Sequence, residues 1–217
     1  MRFVVDGTTG LLGRNLLFEI LKQNLKKLDE VEIIILGKGT NGNTLESRMN
    51  EIIITDGFDY FNLDRNSDYF NQIKSRIIYI EFDLTKTDLG LNQNALSILK
   101  RDKIDFFFHI AALLNFNDST EITNKLYLVN FESSKSIIKL AKEINVKEII
   151  YVSTAYSAGA SQKEIYPDFI NQTGKYRNPY EKSKLETELF LIEYAKIENL
   201  KYKIFWTYPQ YMDRNGV

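Results

Sequence analysis

An apolar run that ends in three evenly spaced glycines constrains this chain more than any other feature. Phe3-Val4-Val5-Asp6 reads as a buried strand, Gly7, Gly10 and Gly13 follow it, and Leu16, Leu17, Ile20, Leu21 and Leu25 then recur on one helical face. The pattern is strand, tight turn, helix. Glycine gives the turn its backbone freedom and lets the main chain approach a ligand with no Cβ in the way. The helix opens with unpaired N–H groups and the positive end of its dipole, which suit a pyrophosphate. Gly7, Thr9, Gly10, Leu11, Leu12 and Gly13 are therefore the candidate dinucleotide site, with an ordinary strand–helix turn as the plainer alternative.

The rest of the chain repeats the alternation. Strand-like runs lie at 2–6, 31–36, 76–82, 104–110, 147–153 and 201–206, and helical patterns between them include 11–25, 120–144 and 180–198. Alternating β and α segments imply a parallel sheet covered on both faces. After a glycine turn on the first strand the expected architecture is α/β, a doubly wound Rossmann-type sheet of order 3-2-1-4-5-6, with ligand beyond the carboxyl ends of the strands. The 217 residues suit one NAD(P)-binding domain over 1–217. The long connection from Gly37 to Ser75 is expected to hold two helices, around 44–54 and 67–75, with a turn at Asp56-Gly57.

Composition removes several classes of function. There are 28 Lys and Arg against 29 Asp and Glu, which is not the basic footprint of a nucleic-acid binder. The longest apolar run, Phe106 to Leu114, is too short to span a membrane. A strand starting at Arg2 leaves no room for a signal peptide, so the cytoplasm is the expected location. With no cysteine, disulfides, cysteine-held metals and acyl-cysteine chemistry are excluded. His109, the single histidine, ends an apolar strand, where a packed or backbone-bonded role is expected.

The strand ends carry the remaining candidates. The second strand leads into Gly37-Lys38 with no acid at 36–39, where an NAD site carries one for the ribose 2′-OH. Lys38 could pair with a 2′-phosphate or be a solvated lysine; NADP(H) is favoured over NAD(H). Asp83, before Leu84, could accept from the adenine amino group or cap the next turn, and Ala111-Ala112 is small enough for a cofactor to pass over. Tyr180 and Lys184 stand four apart on a helix opened by Pro179, so they face the same way. The ammonium is expected to lower the tyrosine pKa. Ser153-Thr154 ends the preceding strand, where a hydroxyl can bond a substrate oxygen. A proton donor, a polarising hydroxyl and an orienting cation are what carbonyl reduction by a nicotinamide needs.

Taken together, the glycine turn, Asp83-Leu84, Ala111-Ala112, Ser153-Thr154 and Tyr180/Lys184 resemble the extended short-chain dehydrogenase/reductases. Within them, the thioester-reductase and fatty-acyl-CoA-reductase-like branch is most similar, on Asp83-Leu84-Thr85, Leu89-Gly90-Leu91, His109 to Phe116, Ser153 to Tyr156, Asn178 to Lys184, and Arg48-Met49 in the long connection. The resemblance implies hydride transfer from NADPH to a thioester carried by an acyl-carrier protein or coenzyme A. The product is an aldehyde, sometimes reduced again to an alcohol. It implies catalytic roles for Thr154, Tyr180 and Lys184, a 2′-phosphate role for Lys38, and a structural or proton-relay role for Asn130. Oligomeric state stays open.

Three departures stand out. Asp6 replaces a common threonine and would repel a pyrophosphate unless it points into the fold. Tyr208-Pro209 replaces the usual Arg-Pro, and relatives continue past the Asp213–Gly216 stretch into a last strand and a substrate lobe, expected to be largely absent here either because the chain is a fragment or because the protein is shortened. Two rival readings are a nucleotide-sugar epimerase of the same fold and an NADP(H)-binding sensor or scaffold without turnover. Ala155-Tyr156 after Thr154 argues against a sugar dehydratase, which usually carries Asp-Glu there.

Overall fold

The computed structural model describes residues 1–40, 42–64, 67–159, 166 and 175–207. Tyr208-Pro209 and the stretch from Asp213 to Gly216 lie outside them.

Six strands form one parallel sheet: β1 (Arg2–Asp6), β2 (Glu32–Gly37), β3 (Ile77–Glu81), β4 (Phe106–His109), β5 (Glu148–Thr154) and β6 (Tyr202–Thr207), in the order β3-β2-β1-β4-β5-β6. This is the expected Rossmann-like α/β arrangement. Its order reverses between β1 and β4, where Phe3 pairs with Phe106 and Val5 with Phe108. Successive side chains of a strand point to opposite faces, so one run of apolar residues feeds two cores. Val4, Ile34, Leu36 and Phe107 pack on one face with Ile137, Ile138 and Leu191. Phe3, Val5, Ile33 and Ile35 pack on the other with Leu17, Leu21, Met49 and Phe58.

The helices are α1 (Leu11–Asn24), α2 (Leu45–Ile52), α3 (Phe58–Phe61), α4 (Tyr69–Lys74), α5 (Gln93–Lys100), α6 (Thr120–Leu126), α7 (Ser133–Glu143) and α8 (Pro179–Glu198). Asp56-Gly57 is not the expected turn. It lies in a π-helical stretch, Ile53–Gly57, that joins α2 to α3, and the run ends at Asn62 with a left-handed φ of 55°. Gly57 serves close packing instead: a Cβ there would come 3.0 Å from the Phe18 ring of α1. The pattern over 120–144 is also interrupted, by a π segment, Tyr127–Glu132, between α6 and α7. Such wide turns reorient the residues they contain. Here the side chain of Asn130 bonds both main-chain groups of Leu113 (2.7 and 2.9 Å) and Ser183 Oγ (3.2 Å).

α8 begins where its sequence says it should. Asn178 Oδ1 accepts from Glu181 N at 2.9 Å and Pro179 occupies the first turn, where its missing N–H costs nothing. That start fixes the rotation of the helix. Tyr180, Lys184 and Glu188 thereby share one inward stripe against β5.

Candidate active site

The glycine turn packs against the end of β4. Gly7 has φ 69°, its carbonyl accepts from Gly10 N at 3.0 Å, and a Cβ on it would lie 2.8 Å from Ala111 N. A Cβ on Gly13 would lie 2.2 Å from the Gly7 carbonyl oxygen, a clash no side chain could relieve. Glycine is needed at both positions for the turn to close over the strand ends.

Asp6 points into the fold. Its Oδ1 accepts from Ile110 N and Ala111 N, both at 2.6 Å, and its Oδ2 lies 2.6 Å from His109 Nδ1. His109 Nε2 is 2.7 Å from Ser134 Oγ. Asp6, His109 and Ser134 are buried, so this chain of groups, drawn like a hydrolase triad, offers no nucleophile to a substrate. It fixes the β4 exit and keeps the carboxylate off the turn's ligand side. His109 thus has a packed role, with a carboxylate and a hydroxyl as partners instead of backbone.

Beyond the strand tips lies a crevice of about 590 Å³, lined by Gly7, Thr9, Gly10, Leu11, Leu12, Gly13, Leu84, Ala111 and Ala112 on one side and by Ser153, Tyr180 and Lys184 on the other. A second cavity of about 290 Å³ adjoins it, sharing Gly7, Thr9, Leu84 and Ala111, and adds Lys38 and Asp83. The site residues expected from the sequence thus gather along one trough, with one exception. Thr154 is fully buried behind the wall, its Oγ1 accepting from Tyr156 N at 3.3 Å, and Ser153 is the residue that faces the crevice.

Burial sets the charge states. Lys184 donates to the Val152 carbonyl at 2.8 Å and sits 4.2 Å over the Tyr151 ring. Desolvation lowers its ammonium to about 7, against the pull of Glu188 and Asp6. Tyr180 is 8% exposed and packs edge-on against Phe116, ring centroids 5.6 Å apart. Burial raises its phenol above the usual value. The expected lowering by Lys184 is not found: Nζ is engaged by Val152 and Tyr151, and desolvation sets the direction for the phenol. At the other end Lys38 Nζ bonds Asp83 Oδ2 at 2.6 Å; that bond, with two from Thr85, holds the carboxyl at about 2. Asp83 thus caps its own turn through Thr85 and pairs with Lys38. A second cation, Arg48, stands at this rim and donates to the Lys38 carbonyl at 2.5 Å.

The Asn130 carbonyl accepts from Thr187 Oγ1 at 2.9 Å, and its side chain bonds Leu113 and Ser183. Glu188 was not singled out in the sequence, although it continues the four-residue spacing of Tyr180 and Lys184 on the same helix.

A family model described as "Male sterility protein" matches residues 5–207. The chain belongs to the male sterility protein family. Fatty acyl-CoA reductase 1 of Xenopus laevis is 28% identical over 165 residues, covering 75% of this chain and 29% of that protein. Among solved structures, the terminal R domain from the myxalamid PKS-NRPS biosynthetic pathway superposes with a TM-score of 0.71 at 22% identity, over 95% of this chain and 48% of its own. A thiolation-reductase di-domain from an archaeal non-ribosomal peptide synthetase gives 0.68 at 24% identity, over 95% and 51%. The chain therefore spans under a third of the frog protein's length and about half of each structural neighbour. Among the described residues no helix is long and apolar enough to cross a membrane.

Proposed function

We propose that this chain is the cofactor-binding and catalytic portion of an NADPH-dependent reductase of acyl thioesters. One observation carries the reading: Tyr180 and Lys184 line the same crevice as the Gly7–Gly13 turn. The residues present fit a dinucleotide. Gly7 and Gly13 let the turn close against main chain that a Cβ would strike, and α1 presents its N-terminus to the crevice beyond it. Family membership and the frog reductase, named for fatty acyl-CoA, support a thioester as substrate. The di-domain with a thiolation module supports a carrier-bound form of it.

When bound, the nicotinamide supplies a hydride to the carbonyl carbon. Tyr180 gives its phenol proton to the carbonyl oxygen. Burial raises that phenol, so it carries its proton at neutral pH. The resulting hemithioacetal collapses to aldehyde and free thiol. Lys184 orients the ribose hydroxyls, and as an ammonium it has three donors with which to do so. Thr154 Oγ1 accepts from Tyr156 N and keeps its own proton, but it reaches the substrate oxygen only by turning out of the buried wall. Ser153 lines the crevice with its hydroxyl donating to Glu188.

The test is NADPH oxidation against a panel of an acyl-CoA, an acyl-carrier thioester, a free aldehyde and UDP-sugars. Consumption with a thioester, and a thiol released for each aldehyde formed, is expected. Turnover of a UDP-sugar would move the chain to the epimerases. Cofactor binding with no consumption would make it a sensor.

Lys38 and Arg48 favour NADPH at the adenosine end. Because Lys38 is largely exposed, its loss removes about 1 kcal/mol of pairing with a 2′-phosphate. Lys38→Ala should weaken NADPH binding roughly fivefold and leave NADH binding unchanged, as calorimetry would show. An equal loss for both cofactors would remove the 2′-phosphate role.

A further inference from the structure

We propose that Glu188 is a positioning residue of this site, a buried carboxylate that keeps Lys184 in the ammonium form the reaction uses. The inference rests on the reading of Tyr180 and Lys184 given above. Glu188 stands one helical turn beyond Lys184 on α8 and is 3% exposed. Its Oε1 accepts from Ser153 Oγ and, at 3.2 Å, from Trp206 Nε1. Two elements thus hold one carboxylate in place: the tip of β5 and the tip of β6. Ser153 is itself part of the crevice wall, and its carbonyl accepts from Thr207 Oγ1 at 3.0 Å.

A carboxylate anchored by donors from two strands, one helical turn from Lys184, acts on it from a fixed direction. The other groups facing Lys184 are Asp6 from β1, the Tyr151 ring from β5 and Tyr180 from its own helix; His109 of β4 lies behind Tyr151, ring centroids 5.5 Å apart. Asp6 is already saturated by two main-chain N–H groups and His109. Neither tyrosine carries charge at neutral pH, since burial raises both. Glu188 exerts the larger of the two attractions that oppose the desolvation of Lys184. Without it the amine would lose its proton at a lower pH, and the crevice would lose its cation.

The sign follows directly. A lysine whose proton is held partly by a carboxylate titrates lower once that carboxylate is neutral. Glu188→Gln keeps an oxygen for Ser153 and Trp206 and removes the charge. The Lys184 Nζ signal, followed by nitrogen-15 NMR of the whole chain without cofactor and assigned by its loss in Lys184→Arg, should titrate near 7. In Glu188→Gln it should titrate about one pH unit lower or more. The alkaline limb of NADPH oxidation should shift down with it. An unmoved Lys184 titration in a folded Glu188→Gln protein would overturn the proposal.

Should that variant fail to fold, the wild type carries the test. Two coupled groups each report the other's ionisation, so the Lys184 signal should show a second inflection matching the carbon-13 carboxyl titration of Glu188. A single step in each would overturn the proposal. The measurement needs no substrate. A shifted Lys184 with no turnover of any thioester would strike the reductase reading alone, and turnover with an unmoved Lys184 would strike Glu188 alone.

Discussion

Tyr180→Phe should lower kcat for thioester reduction by about 100- to 10,000-fold, the range that a single general acid contributes. Tyr180 lines the crevice, and the substitution removes only its hydroxyl. The ring would keep its edge-on contact with Phe116 and its place on α8. NADPH affinity should therefore stay within about twofold, since a change confined to the transition state leaves ground-state binding alone. Stopped-flow hydride transfer and calorimetry on the same preparation would separate the two quantities. A rate within a few-fold of wild type would take the phenol out of the chemistry and turn attention to Ser153. A parallel collapse of NADPH binding would mean that the ring is part of the cofactor floor.

The second large effect is on stability. Asp6→Ala would strip the acceptor from Ile110 N, Ala111 N and the His109 ring in one step, at a position with no access to water. A buried donor left without a partner costs about 1–3 kcal/mol. Three of them, partly relieved by local rearrangement, should cost roughly 3–5 kcal/mol, a large share of the 5–15 kcal/mol typical of a domain. In urea the midpoint should fall sharply with little change in slope. Asp6→Asn keeps one oxygen for the two amides and should lose about half as much. A loss below about 1 kcal/mol for Asp6→Ala would show that water or a shifted β4 exit satisfies those groups. The same variant should also weaken cofactor binding, because Ala111 and Gly7 meet across this junction.

The two variants probe different kinds of legibility. The Tyr180/Lys184 pair could be read directly, because four residues apart on a capped helix means one face. The direction of the Tyr180 shift could not. Spacing says that a cation is near, but only packing shows that Nζ is spent on Val152 and Tyr151 and that burial dominates. Asp6 raised the opposite difficulty. Its side chain looked hostile to a phosphate until the β4 backbone, about a hundred residues later, supplied two N–H groups to turn it inward. Asp56-Gly57 carried a turn signal that Phe18 overrode by packing onto the glycine. Thr154 sat at the right strand end, but the hydroxyl's local partner, Tyr156 N, turned it from the crevice.

What the amino-acid order alone determined was the alternation of strand and helix, the sheet order that follows from a glycine turn on the first strand, and the positions that could hold a nucleotide. Those are local properties, set by side-chain periodicity and by which backbone angles a residue tolerates. What only the tertiary structure decided was which of those side chains reach the crevice, which are spent on one another, and which protons they keep. Charge state depends on desolvation, and desolvation of Lys184, Tyr180 and Glu188 comes from strands and helices far away in sequence that no spacing rule can place.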